Sequence, residues 1–277
     1  MSGQAMKPKA DVPGVTSMPW GEWRAATAAR IALGRAGVAT PTSENLDFGW
    51  AHAMARDAIH TPLDVDALAQ TLQAAGHVCW QVHSQAEDRA SYLRRPDLGR
   101  QLAPESSHRL QQYAAALPPQ TPRPDLCLVV SDGLSSLAVQ RHAVPLIQAL
   151  MPLLPADFHV SPIVVVQQGR VAVADEVGEL LRARCCAVLI GERPGLSSPD
   201  SLGIYVTHGP HRGCLDAERN CISNVRPQGL SYRHAAFKLA WLLRQALRLG
   251  HSGVALKDDS DAELALHLKS HSPSLST

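Results

Sequence analysis

Asp132, Gly133, Glu192 and Cys221 are the residues whose types and settings could do chemistry in this chain. Asp132 and Gly133 sit in "SDGLSS" (131–136), directly after the apolar run "DLCLVV". Gly133 there can take a positive φ while Asp132 caps the next helix. The same turn can also let a ligand approach the backbone closely. Glu192 stands just past "AVLI", beside Arg193. It can pair with that arginine to hold the loop, or accept hydrogen bonds from an amide-bearing ligand. Cys221, in "RNCISN", reads as a small buried hydrophobe when taken alone. His208 and His211 flank Pro210 and point to no chemistry by themselves.

Several chemistries are excluded or weakened. The first apolar strand lacks the G-x-G-x-x-G that a dinucleotide turn requires, and no Walker A lysine follows it. A nucleotide-binding oxidoreductase is therefore the weaker alternative among enzymes. A non-catalytic scaffold subunit is the alternative outside enzymology. No Ser–His–Asp set can be assembled from spacing, because triad members are matched in space. The six cysteines form no C-x-x-C pair, and their spacing does not suit a zinc site. No metal site is expected. The thiols fit a reducing compartment, and the first residues have no apolar signal core, so a cytoplasmic location is expected. The net charge of +1 gives no case for nucleic acid or an anionic membrane. No run of about 20 apolar residues could span a bilayer. The hydrophobic share of 45% is enough for a substantial core.

The elements that must position these residues follow from periodicity. "EWRAATAARIALGRAG" predicts a helix over 20–37, with Gly37 and Pro41 as its stop. Further helices are expected from about Ser43 to His60, from Pro62 onward, and from Glu105 to Ala116. "CWQVHS" reads as a short strand and "YLRRPDLGRQL" as a turn around Pro96 and Gly99. After the Pro-rich 117–124, the continuous apolar runs "DLCLVV", "FHVSPIVVV" and "CCAVLIGE" read as buried strands, and "GIYVTHG" as a fourth. "DEVGELLRAR" has helical spacing. "YRHAAFKLAWLLRQALRLG" carries a stripe at Ala235, Leu239, Leu242, Ala246 and Leu249, closed by Gly250. The expected fold is α/β: an α-helical N-terminal domain (20–116), a linker (117–124) and a Rossmann-like domain with a mostly parallel sheet (125–257). A disordered arm (1–19) and a tail (258–277) flank them. Ligands of such sheets bind beyond the carboxyl ends of the strands, where 131–136, 167–175 and the long stretch 191–229 lie.

Beyond the residue types, "GERPGLSSPDSLGIY" followed by "DAERNCISNVRPQGL" resembles the small (light) subunit of ethanolamine ammonia-lyase. "PTSENLDF", "AHAMARDA", "YLRRPDLGRQL", "VVSDGLSSLAV", "GRVAVADEVGELL" and "SGVALKD" extend the resemblance over nearly the whole chain, in the family's order. One departure is Ala51, where the family usually carries Asp. The resemblance implies an adenosylcobalamin-dependent lyase that converts ethanolamine to acetaldehyde and ammonia by a radical route. It implies activity only with a large TIM-barrel subunit that holds the substrate, as a hetero-oligomer with cobalamin at the interface. Carried over by position, the family's cobalamin contacts fall on Val171, Glu192 and Cys221, and no catalytic residue falls on this chain. The D-x-H-x-x-G motif that places a histidine beneath cobalt is absent, which agrees with the family's base-on mode. Some members enter a bacterial microcompartment through an N-terminal helix. The short, Pro-broken 1–19 favours a cytoplasmic enzyme, with a bacterial microcompartment as the alternative location.

Overall fold

A computed structural model describes residues 13–27 and 29–263. The expected arm and tail therefore lie outside the described residues at 1–12 and 264–277. Six strands form one sheet: β1 (Cys79–His83), β2 (Leu126–Ser131), β3 (Ile163–Gln167), β4 (Cys185–Gly191), β5 (Leu202–His208) and β6 (Arg219–Val225). Their order is β1-β3-β2-β4-β5-β6. The first four are mutually parallel, β5 runs antiparallel to β4, and β6 antiparallel to β5.

The parallel strands are apolar on both faces because both faces are covered. Leu126, Leu128 and Val130 point into one core with α2 (Val65–Ala74), α5 (Ser136–Leu150) and α7 (Tyr232–Leu249). Cys127 and Val129 point into the other, with α4 (Pro104–Ala116) and α6 (Val173–Leu180). This alternation is the two-residue period of a strand with no solvent side. The α7 stripe lands as expected on the first core through Ala246, whereas Leu249, in the last turn, is exposed. Gly250 closes the helix at φ +76°.

Two helical regions differ from the sequence reading. The helix expected at 20–37 is only a 3₁₀ turn at Gly21–Ala25. Ala32, Gly34 and Gly37 all take positive φ, and Thr16 bridges Arg35, so the Ala-rich composition is overridden by an irregular, self-bonded segment. The helix expected from Pro62 begins at Val65, because the Asp64 side chain accepts from Ala67 N–H and sets the cap. By contrast, α1 (Thr42–His60) forms where expected. It buries only Glu44, Ala55 and Ala58 and leaves Leu46, Phe48 and Trp50 exposed. Ala51 sits half-buried on it. Leading into the stretch read as a turn (92–102), α3 (Arg89–Arg94) forms one short helix that brings Arg89 and Tyr92 toward the carboxyl edge of the sheet. Among the described residues no helix is long and apolar enough to cross a membrane.

Candidate functional site at the carboxyl edge of the sheet

β2 is flanked by β3 on one side and β4 on the other, and α5 and α6 cover opposite faces. Connections thus diverge at the end of β2, which opens a crevice there. Its floor is backbone on backbone. Gly133 sits at φ +58°, and a Cβ on it would lie 2.3 Å from Gly191 O. Leu134 N–H donates to Gly191 O at 2.9 Å. So Gly133 takes the positive φ expected of it, and the close approach it permits is to β4.

Asp132 does not cap α5. Ser135 does, accepting from Ala138 N–H at 3.3 Å. The chain brings Asp132 instead against the loop after β3, where its carboxylate accepts from Gln168 N–H at 3.0 Å and Gly169 N–H at 3.1 Å. Arg89 lies 3.7 Å away. Burial pushes the Asp132 carboxyl up, opposed by Arg89 and these amides. Gln168 is held at φ +54°, an uncommon backbone for a residue with a side chain. Asp132 and Ser84, whose hydroxyl donates to Gln168 O at 2.7 Å, fix it there. That loop delivers Arg170 and Val171.

Tyr92 fills the space between these loops. Arg89 and Arg170 stack on its ring at 4.6 and 4.4 Å. Burial pushes its phenol up to about 12, so it stays neutral. Beside it opens a basin of about 360 Å³, with Leu134 and Ile190 below and Val171, Glu192 and Tyr205 on its walls. A second basin of about 330 Å³ continues past Arg170, Val171 and Tyr205, which line both, to Arg219 and Cys221. The two form one groove. Val171, Glu192 and Cys221 all line it. His208 and His211 do not; His211 contacts Cys214 Sγ at 3.2 Å instead. A larger open depression of about 640 Å³ lies at the far edge of the sheet along β1. Ser106 and Arg109 of α4 already satisfy β1 backbone groups there, at His83 N–H and Gln81 O.

Glu192 is half-buried and does hold its loop, but not through Arg193. Its carboxylate accepts from the Ser201 hydroxyl and from Asn224 N–H at 3.2 Å. Asn224 sits at φ +59° where β6 slips register against β5 between Leu202 and Ile204, a position Asn tolerates. A carboxylate offers about four acceptor directions, so Glu192 keeps capacity toward the groove. Cys221 is exposed, contrary to the buried-hydrophobe reading, while Cys127, Cys185, Cys186 and Cys214 are buried. It pairs across the strands with Tyr205. Partial burial pushes its thiol up and Tyr205 to about 12, so both are neutral donors at neutral pH. Beneath the second basin, Arg219 and Asp175 form a buried ion pair, extended by Thr207 to Asp175 (2.8 Å) and by Arg219 to Asp216 (2.7 Å). Among the described residues no cluster of three or more His, Cys, Asp or Glu could hold a metal ion.

The sequence pointed to the three loops but not to Tyr92, Arg170 and Tyr205. A signal existed for Arg170, which lies beside Val171 in "QQGRVAVAD". Tyr92 and Tyr205 had none, since only the fold sets them against this groove.

These features define a class: a mixed α/β protein with a groove at the carboxyl edge of its parallel strands. Comparison narrows it. The family model of the ethanolamine ammonia-lyase light chain matches residues 17–257. A protein of Ralstonia nicotianae named ethanolamine ammonia-lyase small subunit is 56% identical over 251 residues, covering 90% of this chain and 92% of that protein. Proteins of the same name from Azotobacter vinelandii and Pseudomonas aeruginosa are 55% and 54% identical, covering 89% and 88% of this chain and 90% and 89% of their own lengths. The chain belongs to the ethanolamine ammonia-lyase light chain family.

Proposed function

We propose that this chain is the small subunit of an ethanolamine ammonia-lyase and that its groove closes over adenosylcobalamin at the interface with the large subunit. The observation that carries this reading is the groove itself. Three residues separated by up to 50 positions line one continuous surface. Its chemistry suits a corrin. That ring system is a broad, largely apolar plate rimmed with amides. Leu134, Ile190 and Val171 offer apolar packing, and Glu192 has acceptor capacity left for rim amides. Cys221 and Tyr205 present neutral polar groups at the far end. When bound, the cofactor supplies the radical that abstracts hydrogen from ethanolamine, and the hard chemistry is its own. The part of this chain is to bind, orient and exclude water.

Two features support a large partner. The groove is open, so it covers a ligand of this size on one face only. And α1 exposes Leu46 and Trp50, one turn apart on the same side of the helix, apolar groups that a partner surface would cover. The test is reconstitution. This chain alone, with adenosylcobalamin and ethanolamine, should produce no acetaldehyde. Adding the large subunit should produce acetaldehyde and a cob(II)alamin radical-pair signal. Folded subunits that together give neither would refute the proposal.

A further inference from the structure

Resting on that reading, we infer that Arg100 and Arg170, backed by Arg219, form the subsite for the phosphodiester of the cofactor's nucleotide tail. All three arginines line the second basin, Arg219 with its side chain buried beneath it. The charge of Arg219 is already taken up by Asp175 and Asp216. Arg100 and Arg170 have no carboxylate partner among the described residues, so the basin keeps net positive charge. The Nε atoms of Arg170 and Arg219 are, moreover, buried without an acceptor. These buried N–H groups leave the guanidinium charges poorly solvated, and an anion in the basin stabilises such charges through the low-dielectric surroundings.

The scaffold holds the pair in place. Arg170 N–H donates to Gly99 O at 2.7 Å, which clamps its loop to the turn that carries Arg100. A Cβ on Gly99 would lie 3.1 Å from both Arg170 Cγ and Gln168 O, so glycine here lets the two segments meet without crowding. Arg170 Nη2 donates to Tyr92 O at 2.9 Å, and its plane stacks on the Tyr92 ring. Arg170, held by Tyr92, and Arg100, carried on the clamped turn with its side chain exposed, are always charged and present planar N–H forks that suit a phosphate. The corrin carries only amides at its rim, so the tail phosphodiester is the group of the cofactor that this charge fits.

The experiment compares two corrinoids in the assembled two-subunit complex. Cobinamide keeps the corrin and lacks the phosphate, ribose and base. Arg100→Gln should weaken cobalamin binding by about 10- to 100-fold, the loss of a charged hydrogen bond. It should leave cobinamide binding unchanged, both read by equilibrium dialysis and absorbance. Equal losses for both corrinoids, or none for either, would overturn the subsite. A loss of large-subunit affinity with an unchanged cobalamin-to-cobinamide ratio would also overturn it, by giving the arginines to partner carboxylates. Inorganic phosphate that binds at Arg100 without competing with cobalamin would assign the basin to a free anion instead. A wild-type complex that binds neither corrinoid would refute the cobalamin reading itself, a separate result.

Discussion

Gly191→Ala should destabilise the chain by about 3 kcal/mol or more, the upper range for a clash that the core cannot relax. Its new Cβ would lie 2.0 Å from Ser135 O and 2.6 Å from Asp132 O. Both are backbone atoms, one at the start of α5 and the other at the end of β2, so no rotamer change relieves the contact. The end of β4 would have to separate from β2, and with it the hydrogen bond from Leu134 N–H to Gly191 O. For a chain of this size, the melting temperature should fall by about 6–12 °C. Gly133→Ala should act on the same crossing, since its Cβ meets Gly191 O, and φ +58° adds strain of about 1–2 kcal/mol. The double variant should therefore fall short of the sum. Thermal unfolding checks both, and a shift under about 2 °C for Gly191→Ala would contradict the packing described.

Asp132→Ala should cost about 3–5 kcal/mol, the usual penalty for leaving a buried charge without its partner. The substitution orphans the Gln168 and Gly169 amides and removes the carboxylate beside Arg89. It should also loosen the loop that carries Arg170 and Val171, so cofactor affinity should fall with stability. Asp132→Asn keeps one acceptor oxygen and should lose less. Urea unfolding of the two variants, with similar and small losses, would show that the β2–β3 tie is not what holds the groove.

How much of this was legible depends on whether the signal was local. β2, β3 and β4 were readable because a strand buried on both faces is a continuous apolar run, as in "DLCLVV" and "CCAVLIGE". α7 was readable from its stripe. The loops after β2 and β3 and the start of the one after β4 were readable as strand ends, whereas the rest of 191–229 folds into β5 and β6. β6 was not, because "RNCISNV" is an edge strand with Arg219, Asn220, Ser223 and Asn224 among its seven residues. The turnover from parallel to antiparallel at β5 leaves no local trace either. α5 contains Pro145 in its interior, which obscures helical spacing. The Ala-rich 20–37 misled because composition favoured helix while Gly34 and Gly37 needed positive φ. Within the site, Asp132 and its partners are 36 and 37 residues apart, and Tyr92 and Arg170 are 78 apart. Only the fold brings them together. The resemblance carried Val171, Glu192 and Cys221, and the fold explains how residues from two loops and the edge strand β6 come to line one groove.

The central claim, that this groove faces cobalamin in the assembled enzyme, is tested most directly at Cys221. It is the exposed cysteine among six, so alkylation at mildly alkaline pH can be read at one site, with Cys221→Ser as the blank. The complex with the large subunit would be alkylated with and without adenosylcobalamin. The groove predicts that the cofactor sharply slows modification of Cys221, and that ethanolamine alone does not. An equal rate with and without the cofactor, in a complex that binds it, would place cobalamin elsewhere and leave this chain a scaffold.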